Sequence, residues 1–333
     1  MSQKLLINLP KNFFTHPMLQ DVFSRLESMA EVQQTSHDTP DQIRNDLSWA
    51  DAVIMWAWPT LDEELLEDAP NLKFAGHIND DAKGVRAKIK KGIAVSEARH
   101  GWSPAVAEMA LTLILAGLRR TSAYHLAMRK GEEGWVEDFP ADIDVRERHL
   151  FGRAVGIVGF GGIGQRLSRL LAPFDCPVRI YDPYLPEAVA KDCGVEQVEL
   201  PELLNSSDVV VLCAANTSET ENLIGSAEID MLRKDAVLVN VGRSSLIDMA
   251  ALMERLKKDD LTAMLDVFDQ EPLPQDDPIR AFPNAFLTPH RAGGIMESVV
   301  RILDMLASDY EAFLNDQPRK YAITEKDLHM LPG

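Results

Sequence analysis

Cysteine is scarce in this chain of 333 residues. There are three, Cys176, Cys193 and Cys213. The number is odd, none forms a CxxC, and no Cys/His cluster has the spacing of a zinc site. A disulfide scaffold is excluded, no metal site is expected, and a reduced cytoplasmic setting fits. Long apolar runs are missing too. The longest, Ala105 to Leu118, is broken by Glu108 and Thr112 and falls short of the ~20 residues of a membrane span. The opening MSQKLLINLPKNFF has an apolar run too short for a signal segment and reads as a first strand. Positive charge is in deficit. Lys and Arg number 34 against 52 Asp and Glu, for a net charge of -18. A field of that sign repels phosphate backbones and anionic lipid, so neither nucleic acid nor membrane is expected as a partner. A local basic site for a small anion remains open. Internal repeats and low-complexity runs are absent as well.

What is present is ordinary globular material, 46% apolar and 26% charged, in a length that suits two domains. Residues 1–100 alternate short apolar runs with amphipathic stretches. Strands are expected at Lys4–Leu9, Ala52–Trp58, Leu72–His77 and Ile93–Ser96. Helices are expected at Leu19–Met29 and, briefly, Leu61–Leu66. Strands alternating with helices imply a parallel sheet covered on both faces. Ser103-Pro104 is a helix start, with Ser as N-cap and Pro at the first helical position. That helix runs to about Arg120 and is apolar nearly all round, so both its sides need cover. Thr121 to His149 reads as an arm carrying Trp135 and Phe139. A second α/β series then begins, with strands at Ala154–Val158, Val178–Tyr181, Val209–Leu212, Ala236–Val241, Met264–Val267 and Ala285–Leu287. A last amphipathic helix spans Ser298 to Leu314.

The strand Ala154–Val158 runs straight into Gly159-Phe160-Gly161-Gly162-Ile163-Gly164, and the helix Gln165–Leu171 follows. This is GxGxxG in the context that gives it meaning. One glycine makes the tight turn, one lets the backbone approach a pyrophosphate, and one lets helix and strand pack. The helix N-terminus then offers unpaired N–H groups to the anion. The next strand ends in Asp182, close to the ~20-residue spacing of the carboxylate that binds the adenosine ribose. Its charge disfavours the extra phosphate of NADP, so NAD is the expected cofactor. A solvated Asp before Pro183 is the plainer alternative.

Three later segments follow apolar strands of the same series: Val239-Asn240-Val241-Gly242-Arg243-Ser244-Ser245-Leu246-Ile247-Asp248, Leu265-Asp266-Val267-Phe268-Asp269-Gln270-Glu271-Pro272, and Thr288-Pro289-His290-Arg291-Ala292-Gly293. Loops beyond the carboxyl ends of parallel strands form the ligand crevice, so Arg243, Glu271 and His290 should converge. Hydride transfer to a 2-keto acid needs a proton donor for the carbonyl oxygen, and histidine can supply it near neutral pH. A neighbouring carboxylate holds the ring. An arginine fork suits a planar carboxylate. Singly, each has a bland alternative: an ion-pair arginine, a surface carboxylate, a loop histidine.

Over residues 150–292 these motifs, in this order and spacing, resemble the D-isomer-specific 2-hydroxyacid dehydrogenases. The resemblance implies an α/β protein of two doubly wound parallel-sheet domains, with a Rossmann NAD-binding domain inserted into a flavodoxin-like substrate domain. Residues 1–103 and 293–333 would form the substrate domain, and 104–292 the NAD-binding domain with its dimerisation helix and arm. It implies catalysis by Arg243, Glu271 and His290. It implies a cofactor site at Gly159, Gly161, Gly162, Ile163, Gly164, Asp182, Ala215, Thr220, Val241, Gly242, Asp266 and His290, with Asp266 on the nicotinamide amide. A 2-keto or 2-hydroxy acid would be the small-molecule partner, and a homodimer the assembly.

The first hundred residues depart from the family. A GxGxD loop is usual after the fourth strand, and here the stretch reads Ala75-Gly76-His77-Ile78-Asn79-Asp80-Asp81. Glu97-Ala98-Arg99-His100-Gly101 stands for Asn-x-Pro-Gly, and Cys213-Ala214-Ala215-Asn216 for His-x-Pro-x. The candidate substrate set is therefore His77, Ile78, Asn79, Arg243 and Trp56. His77 either donates to the substrate or satisfies its own loop. Trp56 and Trp58 either wall a pocket or fill the core. Formate dehydrogenases of the same superfamily carry Gln where Glu271 stands, which argues against that activity. Corepressors of this fold carry long disordered tails, and no such tail is read here.

Overall fold

A computed structural model describes residues 3–56 and 58–331. Position 57, inside the expected strand Ala52–Trp58, lies outside the described residues, as do 1, 2, 332 and 333. The chain divides into two compact units, Met1–Trp102 with Ile295–Gly333, and Ser103–Gly294.

The first unit opens with β1 (Lys4–Asn8), α1 (Gln20–Met29), β2 (Glu31–Thr35), α2 (Pro40–Trp49), β3 (Ala52–Met55), β4 (Phe74–His77), α3 (Ala82–Lys90) and β5 (Ala94–Glu97). Its strands are all parallel, in the order β2-β1-β3-β4-β5, which is the flavodoxin-like winding. Side chains alternate across β1. Leu5 and Ile7 join one core with Leu26, while Leu6 joins the other with Ile43, Leu47 and Val53. Both faces are covered, as a parallel sheet requires.

Three elements here were not expected from sequence, β2, α2 and α3. β2 is an edge strand of sequence EVQQT with no buried residue, so it has no apolar run to betray it. α2 starts at Pro40 behind Thr39, whose N–H donates to Gln42 Oε1 at 3.2 Å, a capping signal that periodicity alone passes over. The helix expected at Leu61–Leu66 is instead a 3-10 turn at Leu65–Asp68. Asp62 Oδ1 accepts from the Leu65 N–H at 3.1 Å, and this local bond sets the tighter turn.

The second unit runs α4 (Ser103–Arg119), α5 (Thr121–Lys130), β6 (Val155–Val158), α6 (Gly162–Leu171), β7 (Val178–Tyr181), α7 (Glu187–Asp192), β8 (Glu196–Gln197), α8 (Leu200–Ser206), β9 (Val209–Leu212), α9 (Ser226–Met231), β10 (Ala236–Asn240), α10 (Met249–Leu256), β11 (Leu261–Leu265) and β12 (Ala285–Leu287). The strand order is β12-β11-β10-β9-β6-β7-β8 and every pairing is parallel. The winding reverses between β6 and β9, and ligands of such sheets bind outside the strand ends at that reversal. The chain then returns to the first unit through α11 (Met296–Leu314), which packs Ile302, Leu303 and Leu306 into the core beside Leu5 and Ile54.

α4 is the apolar helix expected from Ser103 to about Arg120. With the 3-10 turn before it, Arg99–Arg119 is 21 residues and passes for a membrane span by length and composition alone. Half of it is buried. It lies on α6, β10 and β11, and a Cβ on Gly117 would come within 2.7 Å of Val237 Cγ1. It is a core helix of the second unit. α5 buries no residue, and beyond it Trp135 and Phe139 are 68% and 75% exposed.

Candidate active site

The glycine loop joins β6 to α6 at the sheet's reversal. Gly159 has φ +87°, and a Cβ there would lie 2.5 Å from the backbone of Ala214, just beyond β9. A Cβ on Gly164 would lie 2.6 Å from the Gly159 carbonyl oxygen. By contrast, a Cβ on Gly161 would meet nothing within 4 Å. Two glycines thus hold strand, helix and neighbouring loop together, and the third leaves the backbone bare over open space at a helix N-terminus. That cradle fits a dinucleotide pyrophosphate. Gly162 and Ile163 form the first turn of α6 and are half-buried.

Asp182 follows β7. One carboxylate oxygen accepts from the Phe160 N–H at 2.8 Å, the other from the Tyr184 N–H at 3.0 Å. The acid therefore braces the glycine loop, and each oxygen keeps a lone pair for a ribose hydroxyl. Beyond β9, the Thr220 hydroxyl donates to the Ala215 carbonyl at 2.6 Å and closes the loop on itself. The Cys213 thiol is pushed up to about 12 by burial, so it stays protonated and is no nucleophile.

Arg243, Glu271 and His290 come from the loops after β10, β11 and β12, three neighbouring strands. Asn240, the last residue of β10, accepts from the Gly242 N–H at 3.0 Å and donates to the Arg243 carbonyl at 2.9 Å. This clamp sets the turn that presents the exposed Arg243. Val241 and Gly242 are buried beneath it. Glu271 Oε1 accepts from the Phe268 N–H at 3.0 Å, and Oε2 lies 2.6 Å from His290 Nδ1. Burial pushes the Glu271 carboxyl up, but His290, the Phe268 N–H and the Arg243 charge outweigh it and hold it below its ordinary value. The carboxylate is ionised at neutral pH, so the shared hydrogen sits on Nδ1 and Nε2 is left to face a ligand.

His290 has φ +50°, a left-handed conformation that costs a non-glycine residue energy and collects at functional sites. Its N–H donates to the Asp266 carbonyl at 2.9 Å. Asp266 is fully buried. Its carboxylate accepts from the Thr288 hydroxyl at 2.5 Å, the Arg291 N–H at 2.9 Å and the Ala292 N–H at 2.8 Å. Asp266, expected on the cofactor amide, also clasps the histidine loop from within. Neither this clasp nor the Asn240 clamp was foreseen. An Asn at a strand end before Gly-Arg was the available signal for the clamp. No local signal marks the clasp.

The substrate candidates of the first unit separate. Asn79 is exposed after β4. Ile78 is fully buried, and its N–H is spent on the Met55 carbonyl at 3.1 Å. His77 is a correction. Its ring is buried, neither nitrogen has a hydrogen-bond partner, and Asp80 Oδ2 is 3.6 Å away. Burial lowers His77 to about 4, so at neutral pH it is an uncharged interior group, and its ring is closed off from solvent. Trp56 is half-buried and touches Phe13, Trp58 and Trp102, with ring centres 5.5, 5.7 and 6.3 Å away.

Beside His77 across the β4–β5 register stands Glu97. It is buried and bonded to Arg99 Nε at 2.6 Å. Burial outweighs that partner and pushes its carboxyl from 4.5 up to about 7. Between those two values the native chain holds a proton that the unfolded chain has released. Its contribution to stability is full below pH 4.5 and is lost as pH rises through 7. A rise from 4.5 to about 7 corresponds to roughly 3 kcal/mol. Urea unfolding at pH 5 and pH 8 should show that decline in the unsubstituted protein and a much flatter dependence in Glu97→Gln.

Comparison with known proteins bears on the same residues. Residues 111–292 match the family described as D-isomer specific 2-hydroxyacid dehydrogenase, NAD binding domain. The glyoxylate reductase of Korarchaeum cryptofilum is 31% identical over 312 residues, 91% of this chain and 92% of that protein. The D-3-phosphoglycerate dehydrogenase of Methanocaldococcus jannaschii is 32% identical over 292 residues, 86% of this chain, but the match spans 54% of that protein. In fold, the solved D-mandelate dehydrogenase of Rhodotorula graminis superposes with a TM-score of 0.83 at 23% identity, covering 97% of this chain and 98% of that one.

Proposed function

The chain belongs to the D-isomer-specific 2-hydroxyacid dehydrogenase family, and from that premise we propose that it interconverts a 2-keto acid and a D-2-hydroxy acid through Arg243, Glu271 and His290. The cofactor is NAD. The glycine loop would hold its pyrophosphate and Asp182 its adenosine ribose. Bound there, the reduced dinucleotide supplies a hydride for the keto carbon. Arg243 pairs its fork with the substrate carboxylate and polarises the keto oxygen. His290 Nε2 gives that oxygen its proton, and the Glu271 carboxylate steadies the imidazolium through Nδ1–H. Asp266 and Asn240 act through these residues, as positioning groups. Of the first unit's candidates, Asn79 and Trp56 are not fully buried and stay proposed as substrate contacts.

The observation that carries this reading is the 2.6 Å contact between His290 Nδ1 and Glu271, on a histidine held in a strained conformation. The same contact disfavours formate oxidation, which needs no proton relay. A homodimer is proposed on the exposed apolar side chains of α5 and the arm, Leu126, Met128, Trp135 and Phe139 among them. Three free cysteines support a reducing, cytoplasmic setting.

The test follows nicotinamide absorbance with NADH and a panel of glyoxylate, hydroxypyruvate, pyruvate and phenylpyruvate, on protein whose mass is measured by light scattering. Turnover of one class by a dimer is expected. Silence on every 2-keto acid with NADH bound would overturn the reaction, and a monomer would overturn the assembly.

A further inference from the structure

Tyr184 and Glu219 meet over the adenosine side of the second unit, and the reaction uses neither. Tyr184 lies two residues after Asp182 and is 60% exposed. Its phenol donates to the Glu219 carboxylate. Glu219 belongs to the loop after β9, whereas Tyr184 follows β7, and β6 with its glycine loop lies between those strands. The contact therefore ties together the two loops that flank the cradle. Each end is anchored. Asp182 accepts from the Tyr184 N–H at 3.0 Å and from Phe160 of the glycine loop at 2.8 Å. On the other side, Thr220 Oγ1 accepts from the Thr217 N–H at 2.9 Å and donates to the Ala215 carbonyl at 2.6 Å.

We infer that Glu219, held in place by the Tyr184 hydroxyl, is a second determinant that excludes a 2′-phosphorylated dinucleotide, working beside Asp182. The inference rests on the glycine-loop site and does not depend on which keto acid is reduced. Its physical content is charge. A ribose placed at Asp182 would bring a 2′-phosphate toward two carboxylates rather than one. The strand's own cation, Arg179, is already paired through Nε with Glu196 at 3.0 Å. The field of both Asp182 and Glu219 reaches the Tyr184 phenol and, with the Glu219 hydrogen bond as the largest cause, raises it from its usual value. Tyr184 thus remains a donor across the physiological range. Glu219 is exposed, so its repulsion passes through water. In water, a doubly charged phosphate would lose roughly tenfold in affinity if it came within about 6 Å of one such carboxylate.

The test is equilibrium binding, read by the fluorescence of NADH and NADPH without substrate. In Glu219→Gln the ratio of the NADPH to the NADH Kd should fall about tenfold at low salt and by clearly less in 0.5 M salt, where exposed charges are screened. Tyr184→Phe should lower the ratio by a smaller factor. The double variant should fall no further than Glu219→Gln alone, because the phenol acts only through the carboxylate. An unchanged ratio, or a fall of the same size at both salt concentrations, would overturn the charge role. Additive falls in the double variant would overturn the role of Tyr184 as the holder.

Discussion

His290→Gln is expected to lower kcat for keto-acid reduction by about 10²–10⁴-fold, the usual contribution of a positioned general acid. Its NADH Kd should stay within a few-fold, because the pyrophosphate cradle is built from the Gly159–Gly164 backbone and Asp182. Glutamine can still donate a hydrogen bond, so the loss isolates proton transfer from mere polarity. Glu271→Gln should cost less. It keeps an oxygen for the His290 Nδ1–H, now 2.6 Å from a carboxylate, but removes the charge that balances an imidazolium. The two groups act as one unit, and such units are strongly non-additive. The double variant should therefore turn over no more slowly than His290→Gln alone. Stopped-flow traces of a single turnover read the chemical step directly. A burst in His290→Gln as fast as in the unsubstituted protein would assign the proton to another group.

The convergence of these loops was legible because its signals are local. Gly159 and Gly164 act on the adjacent strand end or on atoms a few residues away, and Arg243, Glu271 and His290 lie in the loops that follow apolar strands. A parallel sheet brings such strand ends to one edge, so spacing alone predicts convergence. What escaped was set by packing between distant residues. Asp266 lies in the same kind of loop as Glu271, yet it is buried and spent on residues 22 to 26 positions later. The family resemblance placed it on the cofactor amide and gave no hint of this clasp. β2 stayed hidden because an edge strand with no buried side chain has no apolar signature. His77 misled for a related reason. Its neighbours Asn79 and Asp81 read as a polar loop, but the histidine ends β4 and points into the interior.

Lys88→Met should destabilise the protein by about 3–5 kcal/mol, the cost of leaving one member of a buried ion pair alone. Lys88 sits in α3 within AKGVRAKIK, where any reading by composition makes it a solvated lysine. It is fully buried instead, with Nζ 2.9 Å from Asp80 Oδ2. The Asp80 carboxyl is penalised by burial, but the His77 and Lys88 side chains together hold it below its ordinary value. Lys88 is lowered by burial, against the pull of Asp80. The two groups face each other at 2.9 Å, and with His77 uncharged at neutral pH the lysine is the partner Asp80 depends on. Asp80 also fixes the turn into α3, since its Oδ1 accepts from the Asp81 N–H at 3.0 Å. Adding Asp80→Asn to Lys88→Met keeps that bond and removes the stranded charge, so most of the lost stability should return. Urea midpoints at pH 7 for the single and double variants measure both terms. A double variant as unstable as Lys88→Met would mean that the loss came from packing around the lysine stem, with the charge of Asp80 irrelevant.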